Sequence, residues 1–200
     1  MNKLEVLIAK RESRETVYVS FPTTRKEIRE TLSSIGIVKD GWLIVGVKTG
    51  SNPFGEIILS SGSLDELNFL GYWMSQFDNN EYHSFFHLCD VFSNDINSVA
   101  DCINIAANIK NYFMIRKLKN EEFVGRWMVS EYLKKHDADS LAVWESVDKD
   151  YEELGHRYVA EKHGRFFEGN FYGRTDNWER VYNGEDDDIP EDLLIDSIRI

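Results

Sequence analysis

The sequence predicts an α+β fold, and three observations carry that prediction. Two β-branched, apolar runs joined by a polar turn open the chain. Apolar residues then recur at three- and four-residue spacing between residues 63 and 109. Short aromatic strands return around Gly169-Asn170 after two more helical stretches. The subdomains that follow are an N-terminal antiparallel sheet plus helix over 1–61, a central helical bundle over 62–109, and C-terminal helices with a short antiparallel sheet and an acidic extension over 110–200. With 200 residues, 42% of them hydrophobic, the chain buries a core without disulfide or metal staples.

Leu4 to Ala9 and Thr16 to Phe21 read as a hairpin around Lys10 to Glu15. Pro22 and Thr23 or Thr24 start a helix on which Ile28, Leu32 and Ile35 share a face, and Gly36 ends it. Trp42 to Val47 reads as a strand, and Glu56 to Leu59 as a short further one before the small polar stretch Ser60 to Ser63. Ser63 with Glu66 three residues on forms a capping box, and Leu67, Leu70, Met74 and Phe77 give the helix behind it one apolar face. After the turn Asp78 to Asn80, Tyr82, Phe85, Phe86, Cys89 and Phe92 form an aromatic stripe that reads as core. A helix from Ser98 turns Val99, Cys102, Ile103 and Ala106 inward as far as Asn108. Tyr112 to Ile115 is strand-like, and Asn120 caps a helix over Glu121 to about Lys135. A longer helix follows His136 to Asp139, with Trp144, Val147, Tyr151, Leu154 and Tyr158 on one stripe and Gly164 as its stop. Arg165 to Phe167 and Phe171 to Arg174 read as strands and Glu179 to Tyr182 as a third, before a charged turn and a short helical stretch.

Charge is placed unevenly. Met1 to Lys39 has 8 basic and 5 acidic residues, Asp40 to Ile109 has 1 and 9, Lys110 to Lys135 has 7 and 3, and His136 to Ile200 has 7 and 18, for a net −12. No cation lies between Lys48 and Lys110. A surface this acidic repels a phosphate backbone, so direct nucleic-acid binding is not expected. A long single-sign stretch serves solubility or partner selection. No apolar run approaches the roughly 18–20 residues that span a bilayer, and Met1 to Lys10 lacks a secretory-signal pattern. The chain is therefore expected in the cytoplasm, off the membrane, with Cys89 and Cys102 reduced and packed in the core.

No constellation for catalysis stands out, and neither catalytic residues nor a cofactor are expected. His83 and His87 sit one helical turn apart, but Ser84 follows the first where a metalloprotease helix has Glu. Asp186, Asp187, Asp188 and Glu191 lack the alternating ligands and central glycine of a calcium loop. A metal-dependent hydrolase built on either set is the weakest of three readings, and no metal site is expected.

Several stretches resemble the ArdA family of antirestriction proteins, including its longer relatives on mobile elements of Gram-positive bacteria. They are Ser63-Leu64-Asp65-Glu66-Leu67-Asn68-Phe69-Leu70, Asp101-Cys102-Ile103-Asn104-Ile105-Ala106-Ala107-Asn108, and Asp150-Tyr151-Glu152-Glu153-Leu154-Gly155-His156-Arg157-Tyr158, followed by Gly164-Arg165-Phe166-Phe167 and Gly173-Arg174. The likeness covers roughly Trp42 to Thr175, and the order and spacing of the segments carry it. It implies an elongated α+β homodimer that mimics bent duplex DNA and inhibits type I restriction-modification enzymes by filling their DNA site. The alternative is an acidic interaction module of a mobile element acting on another DNA-binding defence protein.

A mimic must present carboxylates at phosphate-like density. The candidates are Asp65, Glu66, Asp78, Glu81, Asp90, Asp95 and Asp101 in the central part, continued by Glu145, Asp148, Asp150, Glu152 and Glu153. Along one continuous helix, Glu145, Asp148 and Glu152 would be about 5 Å apart on the axis. Glu81 and Asp90, nine residues apart, fall on opposite sides of a helix, so the whole set cannot form one face.

Overall fold

The computed structural model describes residues 3–11, 13–38, 41–48, 52–61, 63–135 and 150–195, and within them the fold is α+β. It has seven α-helices and two three-stranded antiparallel sheets. Contacts divide the chain into two compact units, one of Met1–Ile109 with Glu179–Ile200 and one of Lys110–Trp178. The expected segments 1–61 and 62–109 both fall in the first unit, and the described residues of the tail, 179–195, fall with them.

In the first unit, strands β1 (Leu4–Lys10), β2 (Thr16–Phe21) and β3 (Trp42–Val47) form a sheet in the order β2-β1-β3. Leu4 pairs with Phe21 and Ile8 with both Val17 and Ile44. The strand alternation turns Leu4, Val6, Ile8, Val19, Phe21 and Ile44 to the core. Between β2 and β3 lies α1 (Arg25–Ser33), opened by a reciprocal box in which the Thr24 hydroxyl accepts from the Glu27 N–H and the Glu27 carboxylate from the Thr24 N–H.

The expected strand at Glu56 to Leu59 is instead the end of helix α2 (Asn52–Ser60). Paired isoleucines favour a strand locally, but Pro53 suits a first helical turn, and Phe54 and Ile58, one turn apart, are both fully buried. Helices α3 (Leu64–Ser75), α4 (Asn79–Val91) and α5 (Val99–Ala107) complete the unit, with N-caps Ser63, Asp78 and Ser98. Phe54 packs edge-on to Phe85 at 5.5 Å and Phe86 at 5.2 Å. At Gly71 a Cβ would lie 2.6 Å from the Phe21 Cβ, so glycine is what lets α3 reach the end of β2.

The second unit contains β4 (Tyr112–Ile115), α6 (Glu121–Lys135), α7 (Tyr151–Glu161), β5 (Arg165–Phe167) and β6 (Asn170–Arg174), with sheet order β4-β6-β5. Leu118, Val124 and Phe171 form its core, flanked by Phe113, Trp127, Tyr158 and Phe166. Helices α6 and α7 touch backbone to backbone: a Cβ on Gly125 would lie 1.9 Å from the Tyr151 carbonyl oxygen, and one on Gly155 would lie 1.8 Å from that of Glu121. The hairpin β5–β6 turns through Glu168 and Gly169, whose φ values of 48° and 75° suit a two-residue loop.

Three further expectations need correction. The long helix predicted after Asp139 does not run unbroken: Asp150 is extended at ψ 90° and caps a helix that starts at Tyr151. That helix stops before Gly164, at Glu161, in a Schellman motif where His163 takes the left-handed conformation and the Gly164 N–H donates to the Val159 carbonyl. Glu179 to Tyr182 forms no strand, because asparagine side chains satisfy its backbone instead.

Candidate partner-binding surface

The central candidate carboxylates have quite different environments. Asp65 is only 7% exposed and accepts a hydrogen bond from the Ile195 N–H, so it holds the returning chain and offers nothing to a partner. Glu66 is half-buried and accepts from the Tyr182 hydroxyl at 3.1 Å. Asp78 is exposed and forms a capping box with half-buried Glu81: the Glu81 N–H donates to Asp78 at 2.8 Å and the Asp78 N–H to Glu81 at 2.9 Å. Asp101 accepts from the Asn97 N–H at 3.0 Å and the Ser98 hydroxyl at 2.9 Å. Asp90 and Asp95 are half-buried near the end of α4. The caps were locally readable, since each has an acid or hydroxyl three residues before its partner. The burial of Asp65 was not, because it depends on a residue 130 positions away.

The second group lies in the other unit. Glu145 and Asp148 lie outside the described residues. The extended backbone at Asp150 ends the register that would have aligned them with Glu152. Asp150 itself caps α7 through the Glu153 N–H, Glu152 is exposed, and Glu153 is paired with Arg157 at 2.8 Å. The same unit pairs Glu122 with Arg126, Glu131 with Lys134, and Lys162 with both Glu161 and Asp176. Those two carboxylates hold the Lys162 ammonium well above the usual lysine range. His156 Nδ1 lies 3.0 Å from Glu121, which raises the imidazole pKa. The cations of an open cleft lined by Arg126, Val129, Ser130, Leu133, Lys134 and Tyr151 are thus already matched by acids of their own helix.

Summed by unit, the charge is lopsided. The first unit holds 11 Lys and Arg against 22 Asp and Glu, a net −11; the second holds 12 against 13, a net −1. Together they make the −12 of the chain. Residues 179–200 alone have 2 basic and 8 acidic residues, and their return adds a net −6 to the unit that already contains the cation-free stretch. Glu185, Asp187, Asp188, Glu191 and Asp192 are exposed there. None of these is among the candidate carboxylates, because the backbone contacts that hold the tail come from residues far away in sequence. The ion pairs Glu5–Lys48, Glu15–Lys10 and Glu30–Lys26 lie in the sheet and first helix. The Lys48 ammonium, 2.7 Å away, pulls the Glu5 pKa down.

His83 is exposed and His87 half-buried on α4, and no group of three or more His, Cys, Asp or Glu suited to a metal occurs among the described residues. Cys89 and Cys102 are fully buried, and desolvation pushes the Cys89 thiol pKa up, reinforced by Cys102 beside it. No helix among the described residues is long and apolar enough to cross a membrane. No protein-family model matches the chain, and no curated protein matches it.

Proposed function

We propose that this protein is an antirestriction DNA mimic: its acidic first unit fills the Lys- and Arg-lined DNA site of a type I restriction-modification enzyme in the cytoplasm, without catalysis or cofactor. The observation that carries the reading is the gathering of −11 of the −12 charge on one compact unit. The likeness to ArdA proteins supplies the target class. A DNA site is built for about one negative charge per 1.7 Å of duplex axis, so a protein ligand competes only if its anions are dense and held in place. Capping suits this: backbone N–H groups fix Asp78, Glu81 and Asp101 while leaving their charge in place. A homodimer would double the surface and match a two-part target by symmetry.

The test is the plating of unmodified phage on cells carrying a type I system, with and without this protein. Protection raises plating, and no rise sinks the proposal. Asp78→Asn, Glu81→Gln and Asp101→Asn together keep the oxygen acceptors of the caps and remove three charges. Circular dichroism should therefore be unchanged while protection falls. Asp65→Asn, at a buried position, should leave protection intact. If purified enzyme is captured but duplex DNA does not compete, the protein binds as an acidic module elsewhere and the mimic reading is wrong.

A further inference from the structure

Residues 179–195 run along α3 and α5 with almost no help from backbone ladders. Asn108 takes both backbone groups of one residue: its Nδ2 donates to the Glu179 carbonyl at 2.7 Å and its Oδ1 accepts from the Glu179 N–H at 3.1 Å. One turn earlier, Asn104 repeats the grip: its Nδ2 donates to the Tyr182 carbonyl at 2.7 Å, and its Oδ1 accepts from the N–H groups of Val181 at 2.7 Å and Tyr182 at 3.0 Å. Farther along, Asn68 Nδ2 donates to the Leu193 carbonyl at 2.8 Å and Arg25 Nε to that of Leu194 at 2.7 Å, and Asp65 accepts from the Ile195 N–H.

These contacts read backbone and are blind to side chains, and selectivity comes from three anchors. Tyr182, Ile189 and Ile195 are 1%, 4% and 2% exposed, and the Tyr182 hydroxyl reaches Glu66. On either side of the first anchor, Glu179, Arg180, Val181 and Asn183 face outward. The face that receives them is made of two helices with local caps. Ser63 and Ser98 cap α3 and α5, and the whole second unit lies in sequence between α5 and the segment they hold. Paired amides on a helix face, with spaced apolar sockets, are a way for a receptor to hold the backbone of a peptide.

We propose that this face of α3 and α5 is a binding groove for a peptide with irregular backbone, two short 3-10 turns, and tyrosine with aliphatic residues seven and thirteen positions later. Its resident ligand is the chain's own residues 179–195, and the same peptide supplied in trans exchanges with them. The proposal does not depend on the antirestriction reading.

The test keeps the whole protein: a specific-protease site is inserted between Trp178 and Glu179 and cut after folding. The released tail should stay with the cut chain in gel filtration and exchange with a fluorescent peptide of residues 179–195, measured by anisotropy. Tyr182→Ala in the peptide should weaken binding by about tenfold or more, and Arg180→Ala by less than about twofold. Amide and apolar contacts are little screened, so affinity should change only a few-fold between about 50 and 500 mM salt. Loss of helical circular dichroism on cutting overturns the proposal, because the tail is then part of the core and not a ligand. Failure to exchange overturns it too, as does binding that ignores Tyr182 and vanishes with salt.

Discussion

Replacing Gly155 by alanine adds one methyl group where α6 and α7 cross, and the structure sets the sign of the effect. The new Cβ would sit 1.8 Å from the Glu121 carbonyl oxygen and 2.5 Å from its carbon. An ordinary contact is at least 3.4 Å, so the helices must part by about 1.6 Å at their closest point. Both sides of this contact are backbone, so no rotamer change relieves it. Overpacking of this kind costs up to about 3 kcal/mol or more. Against it stands the helix-propensity gain of alanine over glycine, about 1 kcal/mol, which leaves a net loss of about 2 kcal/mol. For a unit the size of residues 110–178, that lowers Tm by roughly 8–16 °C. Gly125→Ala should behave alike, since its Cβ would lie 1.9 Å from the Tyr151 carbonyl oxygen. Gly55→Ala on α2 is the control: its Cβ meets nothing within 4 Å, so the propensity gain of about 0.5–1 kcal/mol stands and stability rises. Thermal unfolding followed by circular dichroism checks all three. An unchanged or raised Tm for Gly155→Ala would refute the reasoning, and so would a lowered one for Gly55→Ala.

The His156–Glu121 pair favours the imidazolium and raises its pKa above the ordinary value, so its stabilisation is fully present below about pH 6.5 and is lost as pH rises through the raised folded-state value. An NMR titration of His156 should show the raised midpoint, and His156→Ala should flatten the Tm–pH profile across that window. Cys89 and Cys102 should resist a thiol reagent in the native state and react fully in denaturant, because both are buried and the Cys89 thiol pKa is raised. Thr24→Ala should cost about 1 kcal/mol in chemical denaturation by removing the α1 cap. The same change should raise the Glu27 pKa, which the hydrogen bonds from Thr24 now hold below the usual carboxylate range.

Elements marked by local chemistry were legible in the sequence. The hairpin of β1 and β2, the caps at Ser63, Ser98 and Asn120, and the strands around Gly169 follow from β-branched runs, side-chain acceptors and turn residues within a few positions of where they act. What was not legible depended on distant partners. Ile57 and Ile58 look like strand residues until Phe54 and Ile58 are seen filling one core position. The segment from Glu179 to Tyr182 has strand composition, yet its backbone partners are Asn104 and Asn108, more than 70 positions earlier. The segment from Asp150 to Tyr158, which carried much of the family likeness, is largely accounted for by packing. Asp150 caps, Gly155 lets the helices touch, and Tyr158 joins the core beside Trp127 and Phe171.

The separation of these roles bears on how charge along a sequence becomes charge on a surface. The second stretch that looks acidic in sequence is divided between the units, its residues 179–200 joining the first, and the carboxylates of the two units are held differently. In the second unit arginine and lysine one turn away neutralise Glu122, Glu131 and Glu153, leaving a net −1. In the first unit no cation occurs between Lys48 and Lys110, and Asp78, Glu81 and Asp101 there are ordered by backbone donors at helix starts. The returning tail then adds six more net negative charges to the same unit, fixed by neutral asparagine amides that cancel none of them. Self-repulsion among these anions disfavours the compact state, and screening by salt relieves only part of it. A fold that holds acids of its cation-free stretch by N–H groups, and the backbone of its acidic tail by amides, therefore keeps a concentrated negative field at some cost in stability. That arrangement suits a cationic partner better than it suits solubility alone, for which acids interspersed with bases would serve.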